Sequence, residues 1–283
     1  MEKLTSIPNI AKPIQEFSDF SFVSWERDMH PQFKAGVSDA ETSFFATFIR
    51  DHKVQSLIDF GVGSGATLSA LITRLAESGY SLERVAGNDV QDSFLSRARE
   101  LFEERGQKVE LHQANWLDFP EGIPPYAPES FEFGILTGTS LSYVGGGTLS
   151  HTRALQKSVV RRLASLIKPG GHIFIDLRNY SHLALLMHEP QRAGEVTLDP
   201  STYYHGFQSH VVTFPAYVSD SLVVMHFYDT EKKIWSKLDI FPLFPEEMAS
   251  LLSEYFTIEH TFYDFEPEHK TKSLFTQYVA KKK

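Results

Sequence analysis

Leu57-Ile-Asp-Phe-Gly-Val-Gly-Ser-Gly-Ala66 is the stretch from which the rest of the chain can be read. Leu57 to Phe60 is a short apolar run interrupted only by Asp59, as expected of a buried strand. Gly61, Gly63 and Gly65 follow at every second position, and a helical pattern begins at Ala66. A glycine-rich turn between strand and helix lets backbone approach a ligand closely, because no Cβ stands in the way. Asp89 lies 24 residues past Gly65, at the end of a second strand-like run. An acid at that place accepts hydrogen bonds from ribose hydroxyls.

The spacing separates two kinds of nucleoside ligand. Dinucleotide folds use Gly-x-Gly-x-x-Gly and bring a pyrophosphate to the helix N-terminus. Here the pattern is Asp-x-Gly-x-Gly-x-Gly, with the Asp59 carboxylate two residues before the first glycine. An acid there suits a cationic part of a ligand better than a phosphate. S-adenosyl-L-methionine meets that requirement with its ribose, ammonium and sulfonium. A turn of purely structural origin is the alternative for the glycines alone, but strand, turn, helix and spaced acid together favour the cofactor.

Composition sets the outer bounds. With 283 residues and 42% hydrophobic content, the chain can form one large α/β domain with an elaboration, or two small ones. The net charge is −9, and Lys281–Lys283 is the one basic run. Nucleic-acid partners call for a basic surface, so DNA and tRNA are disfavoured and the expected partner is a small-molecule substrate. There is no cysteine, which excludes disulfides and thiolate metal sites. The histidines at 205, 210 and 226 lack metal-ligand spacing, so no metal is expected. No basic segment followed by an apolar core opens the chain, and no apolar run reaches membrane-spanning length. The expectation is a cytoplasmic enzyme with no membrane partner.

Strands alternate with helices from the glycine turn onward. Strand-like runs occupy Leu57–Phe60, Val85–Asp89, Val109–Gln113, Phe131–Leu136 and His172–Leu177. Helical patterns cover Ala66–Ser78, Ser93–Arg105 and Leu149–Ile167, the last stopped by Lys168-Pro-Gly-Gly171. An earlier helix runs through Phe44, Phe45, Phe48 and Ile49, opened by Ser38-Asp-Ala-Glu41 as a capping box. This order predicts an α/β fold: a doubly wound, mostly parallel seven-stranded sheet. After the fifth strand the texture changes to β-rich runs at Val211–Phe214, Leu222–Tyr228 and Ile234–Phe241, read as a small antiparallel insertion. Glu246–Tyr255 is a helix behind Pro245, and Phe256–Tyr263 with Leu274–Ala280 form a closing hairpin. The domain plan is therefore an irregular, aromatic-rich N-terminal arm or lid (1–37), a cofactor-binding core (38–189), a substrate-covering insertion (190–243) and a C-terminal helix and hairpin (244–283).

These motifs, in this order, resemble class I S-adenosylmethionine-dependent methyltransferases over roughly Ser56 to Tyr180. Within that class, Ala114-Asn-Trp-Leu117, Gly138-Thr-Ser140 and Lys168-Pro-Gly-Gly-His-Ile-Phe-Ile-Asp-Leu-Arg-Asn-Tyr180 look like glycine and glycine/sarcosine N-methyltransferases. The resemblance implies that Asp59, Gly61, Gly63 and Gly65 hold the methionine and ribose part of the cofactor and that Asp89 takes the ribose hydroxyls. It further implies that Asn115 and Trp116 flank the adenine, that Val90 belongs to the cofactor-binding residues, and that Thr137 with its neighbours Thr139 and Ser142 lines the path to the methyl group. Arg178 would anchor the carboxylate of an amino-acid substrate, while Tyr204 and an aromatic at Phe227 or Tyr228 would close the pocket. The product would be S-adenosyl-L-homocysteine, and a homo-oligomer assembled through the N-terminal arm is compatible with it. Two departures bear on the acceptor. Thr139 stands where those enzymes carry an asparagine, and Phe241 stands near where a tyrosine is usual. Both lose a polar contact, which makes room for a larger or less polar amine than glycine.

Several of these residues have plainer readings. Arg178 could pair with Asp176 or Glu189, Asn115 could cap its own loop, and Trp116 could be a core indole. Asp89 could serve as a helix N-terminal acid, the tyrosines as ordinary sheet aromatics, and Thr139 and Ser142 as backbone partners in a tight loop. At the level of function, the alternatives are a methyltransferase acting on an oxygen or an uncharged amine, and a protein that binds S-adenosylmethionine without turnover.

Overall fold

The computed structural model describes residues 18–19, 39–118, 123–179, 211–218, 222–229, 234–268 and 273–283. The chain divides into two compact units, Gly36–Asn179 with Leu243–Lys283, and Met1–Ala35 with Tyr180–Pro242. In chain order the elements are β1 (Ser18–Asp19), α1 (39–51), β2 (Ser56–Phe60), α2 (Ala66–Glu77), β3 (Arg84–Asp89), α3 (Asp92–Glu104), β4 (Glu110–Gln113), β5 (Phe131–Leu136), a 3-10 helix (Ser140–Tyr143), α4 (Leu149–Leu166) and β6 (Ile167–Arg178). Then come β7 (Val211–Val218), β8 (Val223–Asp229), β9 (Ile234–Ile240), α5 (Pro245–Ser253), β10 (Phe256–Tyr263) and β11 (Phe275–Lys282).

The larger unit holds a seven-stranded sheet in the order β10-β11-β6-β5-β2-β3-β4. The five strands from β6 to β4 run parallel, and the β10–β11 hairpin joins β6 antiparallel. This is the doubly wound, mostly parallel arrangement that the alternation of strands and helices predicts. Successive strand residues point to opposite faces, and the core divides accordingly. Leu57, Val85, Phe133, Phe174 and Val279 pack with α1, α2 and α3. Ile58, Phe60, Ala86, Ile173, Ile175 and Ala280 pack with α4 and α5 on the other face.

The strand ends agree with the sequence reading to within a few residues, except at β6. Lys168-Pro-Gly-Gly171 was expected as a turn ahead of a strand from His172, yet pairing already starts at Ile167. Ile167 lies opposite Phe131, and the ladder resumes with His172 opposite Phe133. The four residues between form a bulge, with Gly170 at φ +77°. A bulge adds residues to one strand without ending the pairing, so the segment both stops α4 and begins β6.

The smaller unit contains a four-stranded sheet in the order β1-β9-β8-β7. β7, β8 and β9 are antiparallel, and Ser18–Asp19 pairs parallel with β9. An antiparallel sheet therefore follows β6 as the sequence predicts, and two residues of the N-terminal arm form a strand in it. No described helix is long and apolar enough to cross a membrane.

Candidate active site

Ligands of open α/β sheets bind beyond the carboxyl ends of the parallel strands, and the sequence-predicted residues of the larger unit converge there. Gly61, Gly63 and Gly65 have φ of +73°, +55° and +79°, a left-handed region that residues with a Cβ avoid. The turn they make is tied to β3: the N–H groups of Gly61 and Val62 both donate to the Asn88 carbonyl at 2.9 Å. A Cβ on Gly65 would stand 2.8 Å from the Phe102 ring, so the last glycine also lets α3 pack close. Asp59, 5% exposed, precedes the turn on the face shared with α1 and α2.

Asp89 closes the next strand. Its Oδ2 accepts the Gly63 N–H at 3.0 Å, and its Oδ1 accepts the Gln91 N–H at 2.9 Å. Burial pushes this carboxyl up, while the Gln91, Gly63 and Val90 N–H groups pull it down. Each oxygen has a second lone pair, so Asp89 can brace the glycine turn and still accept from a ligand hydroxyl. The adjoining Val90 is 53% exposed, an apolar side chain facing outward beside that carboxylate.

The loop after β4 is built from its own side chains. Asn115 Oδ1 accepts the Leu117 N–H at 3.0 Å, and Asn115 Nδ2 donates to Asp118 at 3.1 Å. Trp116 Nε1 donates to Asn88 Oδ1 at 2.7 Å, and the indole lies against Gly61, where a Cβ would come within 3.6 Å of it. Buried Arg162, on α4, donates to the Trp116 carbonyl. Asn115 is thus the loop cap of the plainer reading, and Trp116 forms part of the wall behind the glycine turn. Neither Asn88 nor Arg162 carries a sequence signal for this task.

The turn after β5 has the most constrained backbone of the site. Thr137 receives the Ser140 hydroxyl on its carbonyl at 2.7 Å. Thr139 follows Gly138 at φ 61° and ψ 23°. A left-handed, β-branched residue is strained by about 1–3 kcal/mol and persists only where its surroundings enforce it. The enforcing group is Asp176 of β6, whose two oxygens accept the Gly138 N–H at 2.9 Å and the Thr139 N–H at 2.6 Å. The Thr139 and Ser142 hydroxyls are buried and have no hydrogen-bond partner among the described residues.

Arg178 ends β6 on the same face as Asp176, two residues away, with its guanidinium 5.4 Å from the ring centroid of Phe275, its cross-strand neighbour. Among the described residues it forms no ion pair; Asp176 spends its oxygens on the turn instead. Tyr204 and Glu189 lie outside the described residues. Tyr228 belongs to β8 of the smaller unit, in register with Val212 and Trp235.

Residues 58–175 match the family described as a methyltransferase domain. The α/β unit is a class I S-adenosylmethionine-dependent methyltransferase domain. The chain is similar to the glycine N-methyltransferase of Oryctolagus cuniculus, 26% identical over 161 residues, covering 54% of this chain and 52% of that protein. It is also similar to the glycine/sarcosine N-methyltransferase of Parasynechococcus marenigrum, 24% identical over 241 residues, covering 85% and 74%. The chain thus spans about half the length of the glycine N-methyltransferases it matches. In fold it resembles an S-adenosylmethionine-dependent methyltransferase from Clostridium acetobutylicum, with a TM-score of 0.62, 15% identity and coverage of 89% and 96%. It likewise resembles a sugar N-methyltransferase from Streptoalloteichus sp, with a TM-score of 0.57, 17% identity and coverage of 99% and 98%.

The methyltransferase domain takes S-adenosylmethionine as its cofactor, and the residues present fit that molecule. Left-handed glycines leave its approach unobstructed, Asp89 keeps acceptor capacity, Val90 offers an apolar surface, and two buried hydroxyls lack partners among the described residues. Among the described residues no group of three or more histidines and acids is placed to hold a metal ion.

Proposed function

We propose that the domain methylates the amine of a small molecule, an amino acid such as glycine or sarcosine or a related carboxylated amine. Arg178 carries this reading. It is a planar cation at the carboxyl end of the central sheet, without an ion-pair partner among the described residues, on the face it shares with Asp176. A guanidinium grips a carboxylate with two parallel charge-assisted hydrogen bonds and stays charged.

The other roles are carried over from the resemblance, and the positions described above support them. Asp59 and the three glycines hold the methionine and ribose portion, Asp89 takes the ribose hydroxyls, and Val90 with the Asn115–Trp116 loop borders the adenine. Thr137, Thr139 and Ser142 line the acceptor side, with Tyr204 and Tyr228 assigned to the pocket from the resemblance alone. Bound S-adenosylmethionine supplies an electrophilic methyl group on a sulfonium. Arg178 then orients the acceptor, and the buried hydroxyls accept from its amine so that the lone pair faces the cofactor; such alignment is a large part of the work in a displacement of this kind.

The test is acceptor kinetics with Arg178→Ala and Arg178→Lys. Losing a two-pronged charged contact should raise KM for glycine or sarcosine by roughly 10- to 100-fold in the alanine variant, with lysine restoring part of it. Unchanged KM in both variants would remove the anchor. Thr139, a hydroxyl where the glycine enzymes carry an amide, favours a second reading in which the acceptor is an oxygen or an uncharged amine. Turnover confined to phenols or carboxyl-free amines would decide for that reading.

A further inference from the structure

Asp176 lies in the Asp-Leu-Arg-Asn-Tyr stretch that carries the resemblance but has no role assigned there; it is 8% exposed and commits both oxygens to the backbone of the Gly138–Thr139 turn. Without those two bonds nothing else among the described residues holds the Gly138 and Thr139 N–H groups, and the threonine would relax from its left-handed conformation. The turn, in its present form, leaves the Thr139 hydroxyl buried and without a partner among the described residues, at the end of the sheet where Arg178 also ends.

We propose that Asp176 is a positioning residue for the acceptor half of the site: its carboxylate fixes the left-handed turn and so presents the Thr139 hydroxyl to the acceptor. The claim about the turn stands on geometry; its catalytic consequence rests on the methyltransferase reading above.

The anchor works in one protonation state only. An ionised carboxylate accepts on both oxygens, whereas a protonated one turns a donor toward one of the two N–H groups. Facing Asp176 are Glu41 from α1, Arg178 on its own strand and Tyr143 from the 3-10 helix, with neutral Gln277 opposite on β11. Burial pushes Asp176 up to about 7; the Thr139 and Gly138 N–H groups pull it down, Glu41 pushes it further up and Arg178 pulls it down. The turn is therefore doubly anchored above that pH and singly anchored below it.

Two measurements test this. The first follows the amide resonances of Gly138 and Thr139 and the side-chain carboxyl carbon of Asp176 across the neutral range. All three should titrate with one midpoint, and Glu41→Gln, which removes a neighbouring negative charge, should lower that midpoint by roughly half a unit to one unit. Amides that ignore the carboxyl, or a midpoint unmoved in Glu41→Gln, overturn the proposal even if Asp176 variants fail to fold. The second measures methyl transfer to sarcosine. Asp176→Asn should lower kcat by roughly 10- to 100-fold and flatten its acid limb, with S-adenosylhomocysteine affinity unchanged. The loss should be smaller in a Thr139→Asn background, because asparagine tolerates the left-handed region; equal losses in both backgrounds would also overturn it. Failure of S-adenosylhomocysteine to bind the unaltered protein would instead strike the cofactor reading, and the resonance titration would still judge the turn.

Discussion

At Gly65 two constraints meet on one atom that is not there. The backbone is left-handed, and a methyl group would press into Phe102 at 2.8 Å and Ala98 at 3.2 Å. Gly65→Ala should therefore lose about 2–4 kcal/mol, the sum of backbone strain and overpacking, measured by urea unfolding. Trp116→Phe keeps an aromatic ring but removes part of the indole together with its donor to Asn88, whose Nδ2 is already buried without a partner among the described residues. That change should lose about 1–3 kcal/mol by the same measurement. The glycines were readable because conformational need leaves its mark on residue identity. Asn88 and Asp176 were not. Each is an ordinary polar residue in a strand, and its importance comes from an indole 28 positions away or a turn 37 positions away. The sequence places Asp176 in the stretch that carries the resemblance and offers it as a partner for Arg178, but it does not reveal which backbone N–H groups a carboxylate will meet.

At the scale of elements, the five parallel strands were legible because each is an apolar run bounded by turn residues, and the β6 bulge was not. Pro-Gly-Gly reads as a break, and only the pairing of Ile167 with Phe131 shows that the ladder crosses it. Beside that bulge, Glu132 of β5 ties three strands together at their amino ends. Its Oε2 accepts the Gln55 and Ser56 N–H groups at 2.6 and 3.2 Å, and its Oε1 accepts from Lys168 at 3.0 Å. Burial pushes this carboxyl up, but the Gln55 N–H, Lys168 and the Ser56 N–H together hold it below its ordinary value. A depressed carboxyl contributes stability that is present at neutral pH and lost as the pH falls through the carboxylate range. Glu132→Gln should then lose about 1–3 kcal/mol near neutrality, and urea titrations in acid should find the gap to the unaltered protein closing.

For the molecule as a whole, a ligand that binds only the folded chain stabilises it by mass action. S-adenosylhomocysteine at about 100 times its Kd should add about 2.7 kcal/mol, visible as a rise in Tm; no rise at any concentration would mean that the folded chain does not bind it. Two buried groups shape the dependence on pH from opposite sides. Burial lowers His172 against the pull of Glu259, so the unfolded chain takes that proton more readily and stability falls as the pH drops through the ordinary histidine range. Asp176 acts the other way: a raised carboxyl favours the folded state at lower pH, and that contribution is lost as the pH climbs through about 7.

The opposition within Asp176 has a practical consequence. Through Asp176 alone acid favours the folded chain, against the contributions of His172 and Glu132, whereas the doubly anchored turn needs the alkaline side. Protonation of this one carboxyl thus favours the fold while slackening the turn, and a preparation kept mildly acidic should regain its full rate on transfer to alkaline assay medium.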